Sequence, residues 1–160
     1  MLSLAEQYAR SYTTPRDATV VATGKDAPTA QGASEFVRFF YSQIETAFQE
    51  RDPSLLSTLS APTCESCQQY VSSLTKLRDN NERVDGFRVS VLSVVSPALD
   101  APTTARVDVI WSYEGAKRFD ATGRQIREEP ATRGIEELVD LTRTGGVWRV
   151  AEIERIRIRG

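Results

Sequence analysis

The chain has 160 residues, of which 40% are hydrophobic and 26% charged, a composition typical of one globular domain with its own core. Its 20 basic and 22 acidic residues leave a formal net charge of −2, which provides no field for attracting nucleic acid or an anionic membrane. The sequence contains no histidine, so the commonest general base and the commonest metal ligand are both absent. We therefore expect no nucleic-acid partner, no metal and no cofactor.

Residues 1–33 are predicted to lie outside the main domain, as a short helix followed by a linker. Leu4, Tyr8 and Tyr12 recur every fourth residue, which predicts an amphipathic helix over residues 2–12. Residues 13–33 are rich in threonine, alanine, proline and glycine and are interpreted as a flexible linker, with a short edge strand at 19–22 as an alternative. Neither a signal peptide nor an apolar run of membrane-spanning length is expected in the sequence as written.

Residues 34–160 are predicted to form a single α+β domain that begins with three helices. The first, over 34–50, carries the clearest helical stripe in the sequence. Its apolar positions are Phe36, Val37, Phe40, Ile44, Ala47 and Phe48. Asp52 and Pro53 suit the start of a short second helix. Thr63 is the predicted N-cap of a third helix, which ends at Asn80–Asn81.

After Gly86 the apolar period changes from helical spacing to two, which indicates β-strands. One run places Ala105, Val107, Val109, Trp111 and Tyr113 on a single face. Residues 134–156 are typical of a long terminal hairpin, turning at residues 144–146. Ile153 stands at an odd position and Ile156 and Ile158 at even positions, so a regular strand would place them on opposite faces. This predicts a β-bulge or a change of face after Ile153. The sequence therefore predicts three helices packed on one curved antiparallel sheet of about four to five strands.

Cys64 and Cys67, the two cysteines of the chain, stand two residues apart at the predicted start of the third helix. A helix N-terminus favours a reactive thiolate, but redox pairs of this spacing normally follow a strand rather than a helix. A zinc site would need two further ligands from a chain without histidine. In an oxidising compartment the pair would close as a disulfide that stabilises the helix start by about 2 kcal/mol. We favour the disulfide and keep the redox site as an alternative.

Three segments together resemble the nuclear transport factor 2-like, or cystatin-like, fold. They are the opening segment FVRFFYSQIETAFQERDPSLLSTLS (36–60), the helix start PTCESC (62–67), and a closing hairpin containing Gly145, Gly146, Trp148, Arg149 and Val150. The position of the cysteine pair is similar to that in a family of actinobacterial predicted lipoproteins of unknown function. The resemblance covers residues 34–155. The chain lacks the lipobox cysteine of that family, so any lipid anchor would lie upstream of residue 1.

The resemblance implies an extracytoplasmic domain, secreted or lipid-anchored, with a cytoplasmic location as the alternative. We expect a non-catalytic role, in which the domain binds a partner protein or a small apolar ligand, and the sequence leaves a homodimer open. The residues expected to line the pocket inside the cone are Phe40, Tyr41, Ile44, Tyr70, Trp111 and Tyr113.

The alternative function is a small isomerase or dehydratase, because enzymes of this fold place an aspartate, a tyrosine or a histidine inside the cone. Asp108 with a raised pKa would then be the base, beside a tyrosine. Alternation favours the opposite, with Asp108 on the solvent face between Val107 and Val109. Arg155, Arg157 and Arg159 would suit phosphate, but the neighbouring glutamates indicate a solvated strand edge instead.

Overall fold

A computed structural model describes residues 24–159, in which a 3₁₀ turn, three α-helices and seven β-strands follow one another. The turn spans Gly24–Asp26, and the helices are α1 (Ala30–Glu50), α2 (Ser54–Ser57) and α3 (Glu65–Asp79). The strands are β1 (Arg83–Asp85), β2 (Val89–Val95), β3 (Thr104–Tyr113), β4 (Ala116–Phe119), β5 (Gln125–Glu129), β6 (Thr132–Thr144) and β7 (Val147–Ile158). The predicted helix at 2–12 and the alternative strand at 19–22 lie outside the described residues.

The strands form two antiparallel sheets, a four-stranded sheet of order β2-β3-β6-β7 and a three-stranded sheet of order β1-β4-β5. The predicted α+β class, with three helices against an antiparallel sheet, is confirmed. The number of strands is larger than the predicted four to five, and the second sheet was not anticipated. Its strands contain three to five residues, and β5 is exposed throughout, so they lack the apolar alternation that marks a strand in a sequence.

The first helix begins at Ala30 rather than at residue 34, because the hydroxyl of Thr29 accepts a hydrogen bond from the backbone N–H of Gly32 at 3.0 Å. The residues just before it are held to the terminal hairpin. Trp148 Nε1 donates to the carbonyl of Ala27 at 2.9 Å, and Arg143 Nη2 donates to the carbonyl of Asp26 at 2.9 Å. Residues 24–33 therefore belong to the domain, and the predicted boundary at residue 33 is too late.

The core lies between α1 and the inner face of the four-stranded sheet. α1 contributes Phe36, Val37, Phe40, Tyr41, Ile44 and Ala47, all of them fully buried or nearly so. The sheet contributes alternate residues of β3 and β6, which pair in register, such as Val107 with Val139 and Trp111 with Ile135. This alternation decides which charged side chains of the sheet face the helices.

A β-bulge near the end of β7 changes the face of its arginines. Arg155 pairs with Glu137 and Arg157 pairs with Glu136, so Ile156 is the extra residue between two adjacent partners. The predicted irregularity after Ile153 is thus confirmed. As a result Arg155 lies on the inner face of the sheet and Arg157 on the outer face, so the arginines do not form one stripe.

Candidate functional site

A cavity of about 250 Å³, called here the aromatic cavity, opens between the end of α1, α3 and both sheets. Five aromatic side chains line it: Phe48, Tyr70, Phe87, Trp111 and Tyr113. Their rings form a continuous series, with centroids separated by 5.3 Å for Phe48–Phe87, 5.5 Å for Phe87–Tyr113 and 5.6 Å for Trp111–Tyr113. Such spacing is typical of favourable aromatic contacts, so the wall is apolar and its rings support one another.

A second cavity of about 450 Å³ adjoins the first and shares Phe48, Tyr70 and Arg155 with it. Its remaining lining is more polar, since α3 contributes three uncharged polar side chains and β6 contributes Glu137. Those of α3 are Ser66, Gln69 and Ser73. We call this second space the polar cavity. Arg155 stands where the two cavities meet.

Glu137 is a buried carboxylate between the core and the polar cavity, with 4% of its surface exposed. Its Oε1 accepts hydrogen bonds from Tyr41 Oη and Trp111 Nε1, each at 2.7 Å, and its Oε2 accepts one from Arg155 Nε at 3.3 Å. Three donors and one opposite charge satisfy this carboxylate, which explains how it tolerates burial. Sequence reasoning missed it. Glu137 could have been placed inside the domain by alternation, because it shares a face of β6 with the apolar residues Ile135 and Val139.

The tyrosines beside Glu137 are held in their neutral form. Burial raises the pKa of Tyr41 well above its usual value, and the negative charge of Glu137 raises it further. The pKa of Tyr70 is raised for the same two reasons, with burial the larger cause. Both phenols therefore keep their protons and act as hydrogen-bond donors near the cavities.

The six predicted pocket residues divide into two groups. Tyr70, Trp111 and Tyr113 line the aromatic cavity. Phe40 and Ile44 are fully buried in the core and do not reach it, because they lie on the face of α1 that packs against the sheet. Tyr41 is also fully buried, and its hydroxyl reaches the site only through Glu137.

Asp108 lies on the outer face of the sheet, away from both cavities. Its neighbours in β3, Val107 and Val109, are fully buried, and alternation directs the aspartate to the opposite side. There Asp108 lies beside Glu136; burial raises its pKa, and a hydrogen bond with Glu136 raises it further. The alternative enzyme hypothesis, which required Asp108 inside the cone, is therefore wrong about its base.

Cys64 and Cys67 form a disulfide with a Cα–Cα distance of 5.2 Å, and both residues are fully buried. Cys64, rather than the predicted Thr63, is the N-cap of α3, and its Sγ accepts from the backbone N–H of Cys67 at 3.2 Å. A buried bridge without a neighbouring thiol differs from the accessible pairs of redox enzymes. Within residues 24–159, no cluster of side chains suits a metal ion. None of the helices in this range is long and apolar enough to cross a membrane.

Solved structures with similar architecture place the domain in a known fold class. The intermembrane-space region of the chloroplast protein ARC6 aligns with a TM-score of 0.58 and 11% identity, over 79% of this chain and 95% of that one. A Novosphingobium aromaticivorans protein assigned as the β subunit of an aromatic-ring-hydroxylating dioxygenase aligns with a TM-score of 0.53 and 12% identity, over 81% and 93%. An Exiguobacterium sibiricum protein assigned as a Ca/calmodulin-dependent kinase II association domain aligns with a TM-score of 0.52 and 11% identity, over 78% and 92%.

At these identities the similarity shows the fold alone, and the predicted nuclear transport factor 2-like, or cystatin-like, fold is confirmed. The chain belongs to DUF6318, a family of unknown function whose model matches residues 20–154. A comparison with curated proteins finds no match. What the domain does must therefore be argued from its own cavities.

Proposed function

We propose that this domain is a non-catalytic binding module of the bacterial cell envelope, which holds a small apolar ligand in the aromatic cavity. The observation that carries the proposal is that five aromatic side chains line one concave space, which also has a few polar groups in its wall. Binding sites for small molecules commonly combine an apolar lining with a few well-placed polar groups. A concave site of this size favours a small molecule over a protein partner.

The chemistry of the site supports binding rather than catalysis. Glu129, which lines the aromatic cavity, is paired with Arg127, and Glu137, which lines the adjoining polar cavity, already accepts hydrogen bonds on both of its oxygens. A general base needs a free lone pair within reach of the substrate proton. Glu137 instead fixes the ring of Trp111 and the guanidinium of Arg155, so it acts as a positioning residue for the walls of the site.

The location in the envelope is supported by the two cysteines, which form a disulfide. Disulfides persist in oxidising compartments and are rare in the cytoplasm. Trapping the thiols with a maleimide reagent in intact bacteria, followed by mass measurement, tests this. We expect Cys64 and Cys67 to resist labelling until a reductant and a denaturant are both added. Free thiols in freshly lysed cells would place the protein in the cytoplasm.

Binding is tested by calorimetric titration of the full chain with 2-acetylnaphthalene, a flat two-ring probe. Ala116 lines the aromatic cavity and is 8% exposed, so Ala116→Phe should fill the space and abolish binding. Ala121→Phe is the matched control, because Ala121 lies in the exposed turn between β4 and β5 and lines neither cavity. Equal binding by both variants would mean that the probe does not enter this cavity.

A further inference from the structure

The base of the aromatic cavity offers hydrogen-bond donors but no net charge, and from this we infer that the ligand carries an uncharged acceptor, a carbonyl or ether oxygen, that binds Arg155 and Tyr70. This inference rests on the proposed function and names the chemical class of its ligand. The apolar part of such a molecule would lie against the aromatic wall. Its oxygen would point toward the junction of the two cavities.

Arg155 is the first donor. Its Nε and Nη2 atoms each lie 3.3 Å from Glu137 Oε2, which fixes the plane of the guanidinium. A guanidinium carries five N–H groups, and Arg155 makes hydrogen bonds to no other residue within 24–159. Its side chain is 51% exposed and lines both cavities. Some of its N–H groups are therefore held in place and remain available to a ligand.

Glu137 decides the charge of the acceptor. Its carboxylate neutralises Arg155 and is itself shielded from water, with 5% of the side chain exposed. A ligand carboxylate on Arg155 would bring a second negative charge close to Glu137, and because the Glu137 carboxylate is itself shielded from water, the repulsion between the two charges is screened only in part. An uncharged oxygen accepts from the same N–H groups without that repulsion.

Tyr70 is the second donor. Its ring lies in the walls of both cavities, and its hydroxyl makes no hydrogen bond to any residue between 24 and 159. Because the phenol stays protonated, it offers an O–H rather than a negative charge. Glu137 leaves little acceptor capacity for donors of a ligand, since its Oε1 accepts two hydrogen bonds and its Oε2 already accepts from Arg155. The polar end of the site thus selects for acceptors.

The charges at the mouth of the aromatic cavity are paired as well. Arg118 Nε lies 3.8 Å from Glu82 Oε1, and Glu129 Oε1 lies 3.2 Å from Arg127 Nε. Arg118 and Glu129 both line the cavity. Neither sign of charge dominates there, so the mouth adds no preference for an anionic or a cationic ligand.

The test uses three probes with one ring system: naphthalene, 2-acetylnaphthalene with a neutral carbonyl, and 2-naphthoate with a carboxylate. Calorimetric titration of the full chain should give a dissociation constant for 2-acetylnaphthalene about tenfold below those of the other two, as expected for a hydrogen bond from a charged donor. Equal affinities, or tightest binding by 2-naphthoate, would overturn the inference and leave the proposed function intact. If none of the three binds, the proposed function fails and the inference with it.

Variants separate the donors from the aromatic wall. Arg155→Met and Tyr70→Phe should each weaken 2-acetylnaphthalene binding about threefold to tenfold and weaken naphthalene binding less, so that the preference for 2-acetylnaphthalene over naphthalene shrinks. The matched control is Arg149→Met, on the outer face of the same strand, which should change neither. Glu137→Gln should favour 2-naphthoate, because it leaves Arg155 with an unbalanced positive charge. If both Arg155→Met and Tyr70→Phe still bind 2-acetylnaphthalene more tightly than naphthalene by the wild-type ratio, the assignment of the two donors is overturned.

Discussion

Glu137 connects the core to the cavities, because it accepts hydrogen bonds from Tyr41 in α1, Trp111 in β3 and Arg155 in β7. We expect Glu137→Ala to lower the free energy of unfolding by about 3–5 kcal/mol, since two buried donors and one charge lose their partner. Urea unfolding followed by tryptophan fluorescence measures the loss. Glu154→Ala is the control: its side chain is 62% exposed, and we expect a change below about 0.5 kcal/mol. Similar losses in the two variants would contradict the role given to Glu137.

Glu136, the residue before Glu137, faces outward, and its contribution to stability depends on pH. Hydrogen bonds from Arg157 and then Arg159 lower its pKa to about 2. Its folded pKa thus lies below the unfolded value of about 4.3, so its contribution to stability is present above pH 4.3 and is lost as the pH falls toward 2. The raised pKa of Asp108 has the opposite effect on stability, because the contribution of Asp108 to stability is lost as the pH rises.

We therefore expect Glu136→Gln to flatten the decline of stability at acidic pH. Urea midpoints of the wild type and the variant should differ at pH 6 and converge between pH 4 and 2. Glu128→Gln, an exposed residue of β5, serves as the control and should follow the wild type. Parallel curves for the wild type and Glu136→Gln would show that the arginines do not stabilise the charged form.

Local patterns in the sequence predict which side of a strand a residue occupies, but not the partners it finds there. Alternation correctly favoured Asp108 on the outer face, and the same rule applied to Ile135 and Val139 would have placed Glu137 inside. A buried carboxylate was not expected, because burial of a charge depends on donors from distant elements. Tyr41 is 96 residues away from Glu137 in the chain, and nothing in the sequence near either residue signals that contact.

Among the elements, the start of α1 depends on a glycine. A Cβ atom at Gly32 would overlap the carbonyl oxygen of Ala27, in the segment that Trp148 holds to the hairpin. Glycine to alanine inside a helix normally raises stability by about 1 kcal/mol, but here we expect Gly32→Ala to lower it by about 1–3 kcal/mol. The shift in the midpoint of thermal unfolding shows whether Gly32→Ala lowers or raises stability. Ser42→Ala, at an exposed position of the same helix, should be neutral or slightly stabilising, and a stabilising Gly32→Ala would contradict the close contact.

The disulfide closes a very short loop at the start of α3, which carries Tyr70. A Cys64→Ala/Cys67→Ala double variant should lose about 2 kcal/mol of unfolding free energy, as expected for so short a loop. Because both residues are fully buried, the native protein should also resist a mild reductant, as judged by mass measurement after alkylation. Rapid reduction of the folded protein would instead revive the thiol-redox alternative for this pair.

Elements with strong periodicity were predictable, and short ones were not. The stripe of α1, the terminal hairpin and the bulge at Ile156 all follow from apolar spacing in the sequence. The three-stranded sheet does not, because β4 buries one residue, Ala116, and β5 buries none. That sheet supplies one wall of the aromatic cavity, so the cavity could not be outlined from the sequence.

At the scale of the whole molecule, the order of helices followed by hairpins identified the fold class correctly. Function required the tertiary structure, since the aromatic cavity is formed by side chains from α1, α3, both sheets and the segment between β1 and β2. Half of the predicted pocket residues line it, and the other half lie in the core. Both groups consist of large apolar or aromatic residues at inward-facing positions of their elements, which is why composition and spacing alone did not separate them.

A crystal structure of the full chain with 2-acetylnaphthalene tests most directly whether the aromatic cavity is a binding site. We predict that the ring system lies among Tyr70, Trp111 and Tyr113, with the carbonyl oxygen within hydrogen-bond distance of Arg155. Density for the probe only on the exposed apolar side chains of β2, Leu92 and Val95, would contradict this, as would an empty cavity at a saturating concentration.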